Sequence, residues 1–257
     1  HLLKDTLVPI PSKSKEAINI FKTQPLTHVF AVTYFTIPIY IHYLESESFK
    51  TTPLIFLHSL HSRRMSLHDL RLEVMSTIGK SMDDLLDKFL KPIETNWQPS
   101  DLLPDSRNPE FFDVVKEIQE LAKEMDYDLL TVLIGDTITE EALPTYESWL
   151  MDVEGVNQQY NNGGPNGWSQ WVRGWTAEEN RHGDLLNKYL YICGRVDMRE
   201  MEITTQHLIN DGFDIGTDKN PYKNFVYTSF QEQATNVSHR RVATLVKKTG
   251  NSLLAKI

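Results

Sequence analysis

Cysteine is nearly absent: among 257 residues there is one, Cys193. A lone thiol makes no intrachain disulfide, so packing must hold the fold, in a reducing compartment or in one where redox is irrelevant. Positive charge is also scarce. Lys and Arg total 26 against 35 Asp and Glu, giving a net charge of -9 and a pI near 5.5. That excludes a general nucleic-acid binder, whose footprint is basic overall, though it leaves room for a local basic patch. A spanning apolar run is missing as well. The strongest candidate, Val29–Ile41 (VFAVTYFTIPIYI), is broken by Pro38 and falls short of the roughly 18–20 residues a membrane helix needs. It lies too far from the start for a signal-peptide core and lacks a basic n-region and a small-residue cleavage site. No internal repeat and no low-complexity tract interrupts the chain.

What is present suits a globular protein with a real core, since hydrophobic residues make up 40% and charged residues 24%. Strand signals are confined to the first 60 residues. Residues 1–62 are expected to be a divergent N-terminal segment, a leader or a poorly ordered stretch; Lys4, Lys13, Lys15 and several serines fit a transit peptide weakly. From Ser66 onward apolar residues recur at three- and four-residue steps, predicting one amphipathic helix up to Lys91-Pro92. A Pro-containing loop follows, then a helix over 110–125. Residues 128–154 read as one long helix kinked at Pro144. A Gly/Asn loop spans 155–167, and a helix over 168–193 stops at Gly194. A shorter helix over 197–210, a loop, and a last long helix over 222–248 complete the pattern. Helices of about 25 residues run nearly 40 Å, a length that packs as a bundle, so the fold class is all-α.

The helix over 168–193 carries WTAEENRHGDLLNKYL. Residues three apart on a helix are surface neighbours, so Glu179 and His182 point at one spot. A carboxylate oxygen beside an imidazole nitrogen suits iron, manganese or zinc. Alone, that spacing also arises by chance between solvated side chains. Two further acids strengthen the metal reading. Glu140 sits among Leu130, Leu133, Ile134 and Leu143, and Glu232 among Phe225, Phe230, Ala234 and Val237. An acid on an apolar helix face is costly unless it is paired or metal-bound, although a helix-edge charge is the plainer alternative. Carboxylate-bridged di-iron bundles take one Glu from each of two helices and a Glu-x-x-His pair from each of two others. Leu143 and Thr235 stand three positions after Glu140 and Glu232, which fits both acids to the single-Glu helices.

The strings GDTITEEALPTY, WTAEENRHGDLLNKYLY, GRVDMRE and YTSFQEQAT, with KPIETNWQPSDLLPD, resemble the soluble plant acyl-acyl carrier protein desaturases. The resemblance covers about residues 64–257 and leaves out 1–62. It implies a ferritin-like di-iron helical bundle with extra helices, usually a homodimer in the plastid stroma. It implies two iron ions per subunit, and O2- and ferredoxin-dependent insertion of a cis double bond into a saturated chain on acyl carrier protein. Carried over motif by motif, Glu140 and Glu232 are single carboxylate ligands and Glu179 with His182 is a Glu-x-x-His pair. Thr235 matches the threonine beside the oxygen-binding face. Trp97 matches a tryptophan on the presumed electron route, or else serves as a core anchor. A long apolar channel should position the acyl chain, with Trp149, Leu150, Val153 and Phe225 as candidate lining or ordinary core. Trp149 and Asp152 depart from the family pattern, the first bulkier and the second more polar, which leaves chain length and double-bond position open. Docking an acidic carrier protein needs local positive surface. Lys88 with Lys91, Arg63, Arg64 and Arg71, residues 239–241 (HRR), and Lys247 with Lys248 are the candidates.

The di-iron scheme asks for a second Glu-x-x-His pair, and of the nine histidines only His182 has a glutamate three positions before it. His239 lies seven residues past Glu232, about 10.5 Å along a helix, too far to complete the same shell unaided. In the family the second pair lies on the helix after the last one seen here, so the bundle is expected to be incomplete at its C-terminus. Residues 1–257 taken alone are expected to hold one iron poorly, two not at all, and to give no turnover. Two readings stay open. One is an oxygen-dependent desaturase, and the other an inactive truncated homologue that retains dimerisation or carrier-protein binding. The strings above disfavour a generic ferritin-like oxidase.

Overall fold

The computed structural model describes residues 66–158 and 166–257. The described residues form nine α-helices and no strand. They are α1 (Leu67–Gly79), α2 (Met82–Phe89), α3 (Phe111–Lys123), α4 (Tyr127–Glu141), α5 (Leu143–Met151), α6 (Gly167–Cys193), α7 (Met198–Asp211), α8 (Pro221–Lys248) and α9 (Ser252–Lys256). Two short 3₁₀ turns, Ile93–Thr95 and Pro99–Asp101, punctuate the connection from α2 to α3. The all-α expectation holds across these residues. Residues 1–62, Arg63, Arg64 and most of the Gly/Asn loop lie outside them.

Local chemistry fixes where each helix begins. The Ser66 side chain accepts from Asp69 N while Asp69 Oδ2 accepts from Ser66 N at 3.1 Å, a reciprocal cap on α1. Asp126, Asn166 and Asp197 cap α4, α6 and α7 by accepting a backbone N–H with their side chains. Pro221 occupies the first turn of α8, where its missing N–H costs nothing. Gly194 ends α6 at φ 70°, the left-handed conformation that glycine adopts without strain.

Two predicted helices are each divided. The pattern from Ser66 breaks at Lys80-Ser81, where Ser81 N bonds to Ile78 O at 2.9 Å in a tight turn before α2 starts. The division buries Met75 and Met82 in one core. The expected kink at Pro144 is a full break: Ala142 closes α4, and Pro144 sits in the first turn of α5. A proline lacks the N–H to continue α4 but suits the start of a new helix.

At 27 residues, about 40 Å, α6 is the axis of the molecule, packing on α2, α3, α4 and α5. Its two ends enter different cores. Trp168, Trp171 and Val172 join Met75, Met82, Leu150 and Val156. Leu186, Tyr189, Leu190 and Cys193 join Ile118, Leu130, Leu133 and Met201. Glu179 and His182 fall on α6 between these two apolar masses. Arg195, just past α6, donates to Lys123 O and Met125 O at 3.2 Å each, satisfying carbonyls left open at the end of α3.

Candidate metal centre

The polar middle of α6 faces α4 across a very close contact. A Cβ on Gly183 would stand 3.0 Å from the backbone C and O of Glu140 and 3.1 Å from Glu141 Cγ. Glycine at this position lets the two backbones approach, and that approach carries Glu140 to the face bearing Glu179 and His182. His182 Nδ1 lies 2.9 Å from Glu179 Oε2 and 3.7 Å from Glu140 Oε2. One donor atom from each of Glu140, Glu179 and His182 falls within 4.8 Å of the other two.

The other predicted residues gather around this cluster. Glu232, on α8, lines the same cavity as Glu140, Glu179 and Thr235. The Thr235 hydroxyl donates to Glu232 O at 3.0 Å and Gln231 O at 3.1 Å. The Trp97 ring stacks on His182, with centroids 5.8 Å apart and planes within 2°. The Arg181 guanidinium lies over the Trp97 ring, 4.4 Å from its centroid, and donates to Trp97 O. Trp97 is therefore anchored from α6 and touches the cluster directly.

Reading one helix at a time missed Asp136 and set His239 aside as too distant from Glu232 to complete its shell. His239 Nε2 lies 3.3 Å from Glu140 Oε1, and its Nδ1 lies 3.8 Å from Asp136 Oδ2. His239 is two turns from Glu232 along α8, but α4 crosses there and supplies Asp136 and Glu140. The signal was in the spacing, since Asp136 stands four positions before Glu140 and shares its face. Some docking candidates point elsewhere. Arg71 Nη2 is held by Glu154 Oε1 at 2.9 Å, and His239 turns inward.

The electrostatics show groups pressed together. Burial alone would raise the Glu140 carboxyl, but hydrogen bonds from His182 and His239 outweigh it and hold the group at about 2. Burial alone would lower His182, and Glu140 and Glu179 instead push it up to about 10. For Glu232, burial and then the charges of Glu179 and Glu140 raise the carboxyl to about 7. Asp136 Oδ2 is buried with no hydrogen-bond partner. Crowded acids and an orphaned carboxylate oxygen around two imidazoles are a donor set that fits a divalent cation with oxygen and nitrogen preferences.

A family model described as fatty acid desaturase matches residues 70–257. The chain belongs to the fatty acid desaturase family. Among curated desaturases it is 50% identical over 194 residues to stearoyl-[acyl-carrier-protein] 9-desaturase 1, chloroplastic, of Arabidopsis thaliana, which covers 76% of this chain and 49% of that protein. It is 52% identical over 187 residues to the chloroplastic stearoyl-[acyl-carrier-protein] 9-desaturase of Spinacia oleracea, covering 73% of this chain and 47% of that one. It is also 50% identical over 187 residues to the chloroplastic acyl-[acyl-carrier-protein] desaturase of Cucumis sativus, with 73% and 47% covered. The chain thus spans about half the length of the curated desaturases it matches. No described helix is long and apolar enough to cross a membrane.

Proposed function

We propose that this protein is an acyl-acyl carrier protein desaturase, and that Glu140, Glu179, His182 and Glu232 are iron ligands. The observation that carries the reading is the convergence of Glu140, Glu179 and His182 within 4.8 Å, with Glu140 and Glu179 on the wall of a cavity of about 240 Å³. Relatives named as desaturases of acyl carrier protein thioesters supply the substrate class. In this reading two hydrogens leave adjacent methylenes and combine with O2, two electrons and two protons to give two waters and a cis double bond. Iron, when bound, supplies the oxidant that an unactivated C–H bond requires. Ferredoxin is the proposed electron donor.

The chain's own residues do the positioning. Leu143, Leu150 and Trp175 give the cavity apolar wall, while Glu140, Glu179 and Glu232 crowd one side of it. An acyl chain held against that wall would present one methylene pair to the acidic side. The Thr235 hydroxyl borders the space where that pair would lie, and its bonds to Glu232 O and Gln231 O fix its rotamer. The Trp97 ring, stacked on His182, offers a contiguous path toward the cluster from the loop between α2 and α3. Residues 63–257 form the desaturase-like bundle in this proposal, and 1–62 a divergent N-terminal segment. A location in the plastid stroma is supported by the relatives' names, which are chloroplastic, and a homodimer is part of the same proposal.

Turnover tests the reading. A protein carrying these residues together with a second Glu-x-x-His pair, loaded with ferrous iron and given O2, reduced ferredoxin and stearoyl-acyl carrier protein, should return a monounsaturated chain. Return of the chain intact by the iron-loaded protein overturns it.

A further inference from the structure

We propose that His239, steered by Asp136, is a positioning residue that fixes the orientation of Glu140 in the metal centre; the inference rests on the reading of Glu140 as a ligand. Glu140 lies on α4 and Glu232 on α8, so two of the proposed ligands arrive from helices that meet over a short stretch. His239, on α8, makes a polar contact across that meeting. Its Nε2 lies 3.3 Å from Glu140 Oε1. The other oxygen of the same carboxylate, Oε2, faces His182 Nδ1 at 3.7 Å. Glu140 therefore stands between two imidazoles, with one oxygen toward each. The last torsion of a glutamate is broad and roughly two-fold, so an unrestrained carboxylate has no fixed orientation. Protonated at Nε2, His239 donates to Oε1 and holds that torsion. His182 belongs with Glu140 and Glu179 in the compact cluster, whereas His239 bears on it from outside.

Asp136 supplies the other half of the device. It stands one turn before Glu140 on the same face of α4. Its Oδ2 lies 3.8 Å from His239 Nδ1, is buried, and has no hydrogen-bond partner. Burying a carboxylate oxygen without a partner costs free energy, so stability alone does not account for an acid here. At 3.8 Å the contact is an ion-pair approach rather than a hydrogen bond. It draws the Nδ1 edge of the ring toward Asp136 and leaves Nε2 facing Glu140. The chain of contacts thus runs from α4 to α8 and back to α4, ending on a proposed ligand. Carboxylates that bind metals are commonly hydrogen-bonded from outside, and losing such a partner costs about 10–100-fold in metal affinity. Packing does not explain His239 either, since 39% of its side chain is exposed and it joins neither apolar core.

The test is cobalt(II) titration of the whole chain, read by calorimetry and visible absorption, in wild type, His239→Leu, His239→Gln and Asp136→Asn. His239→Leu removes the donor and should weaken cobalt binding by about 10–100-fold. The shape of its cobalt bands should change as well, because Glu140 is free to turn. His239→Gln places an amide N–H near the position of Nε2 and should restore most of the affinity and the wild-type bands. Asp136→Asn keeps the size of the side chain and loses the charge that steers the ring. It should weaken binding by roughly 10-fold yet melt no lower than wild type, since it relieves a buried carboxylate. A purely structural role would lower melting temperature and affinity together and leave the bands alone. Should His239→Leu fail to fold, Asp136→Asn and His239→Gln carry the comparison. Wild-type affinity and bands in a folded His239→Leu protein overturn the proposal, and so does a folded His239→Gln protein as weak as His239→Leu. Wild type that binds no cobalt sinks the ligand reading and this support with it, whereas normal wild-type binding with an indifferent His239→Leu sinks the support alone.

Discussion

Adding one methyl group to α6 at Gly183 should separate the two helices that form the metal cluster. In an exposed helix interior, Gly→Ala gains about 0.8–1 kcal/mol of helix propensity. At Gly183 the new Cβ meets Glu140 backbone atoms at 3.0 Å. Those atoms belong to a helix that cannot swing aside like a side-chain tip. Overpacking of this kind costs roughly 1–3 kcal/mol, so Gly183→Ala should lose between zero and about 2 kcal/mol net. Gly135 on α4 is the control, because nothing lies within 4 Å of its added Cβ. Gly135→Ala should therefore keep the full gain and melt about 2–4 °C above wild type. Differential scanning calorimetry of both variants reads the two signs directly. Cobalt(II) titration gives a second readout, with affinity falling in Gly183→Ala and unchanged in Gly135→Ala. If Gly183→Ala melts as high as Gly135→Ala and binds cobalt like wild type, then the α4–α6 approach does not position the cluster.

Two further predictions concern the second core. Asn251 is 2% exposed, donates to Tyr189 Oη at 3.1 Å and accepts from Leu254 N at 3.0 Å. Asn251→Ala removes the cap of α9 and strands the phenol, so the urea midpoint should fall by an amount equivalent to about 2–3 kcal/mol. Burial pushes the Tyr189 phenol up to about 12, against the lowering effect of Asn251. Because the folded value lies above the ordinary 10, the folded state keeps its proton where the unfolded chain loses it. The contribution is complete below pH 10 and is lost as pH rises toward 12, amounting to about 2–3 kcal/mol. Urea unfolding from neutral to strongly alkaline pH should show this slope in wild type and a flatter one in Tyr189→Phe; identical slopes would contradict it.

The parts of the site that lie within one helix were legible from the sequence. Glu179 and His182 share a face by spacing alone, and Gly194 ends α6 because only its backbone adopts the left-handed turn cheaply. Glu140 and Glu232 stood out as acids on apolar faces. The breaks at Lys80-Ser81 and Ala142 were hidden because apolar periodicity runs through both, and the turns there depend on what Met75, Met82 and Leu143 pack against. The contact of His239 with Glu140 and Asp136 depends on where α4 crosses α8, which no spacing within one helix reveals. The loop carrying Trp97 has no period, so its stack on His182 is a tertiary fact, reached beforehand only through the family resemblance. Trp149 was visible as a bulky residue in a helix that also bears a ligand candidate. Its edge-to-face contact with Phe213, at 5.5 Å between ring centroids, depends on a loop that arrives 64 positions later.

The central claim is that Glu140, Glu179 and His182 hold one metal ion together. Anaerobic titration of the chain with cobalt(II), followed by visible absorption and calorimetry, tests it most directly. Removing a residue that only supports a ligand costs about 10–100-fold in metal affinity, so removing a ligand should cost at least that much. Wild type should bind at most one ion, and His182→Ala and Glu179→Gln should each weaken it by about 100-fold or more while remaining folded. Equal cobalt affinity in wild type and His182→Ala would contradict the account.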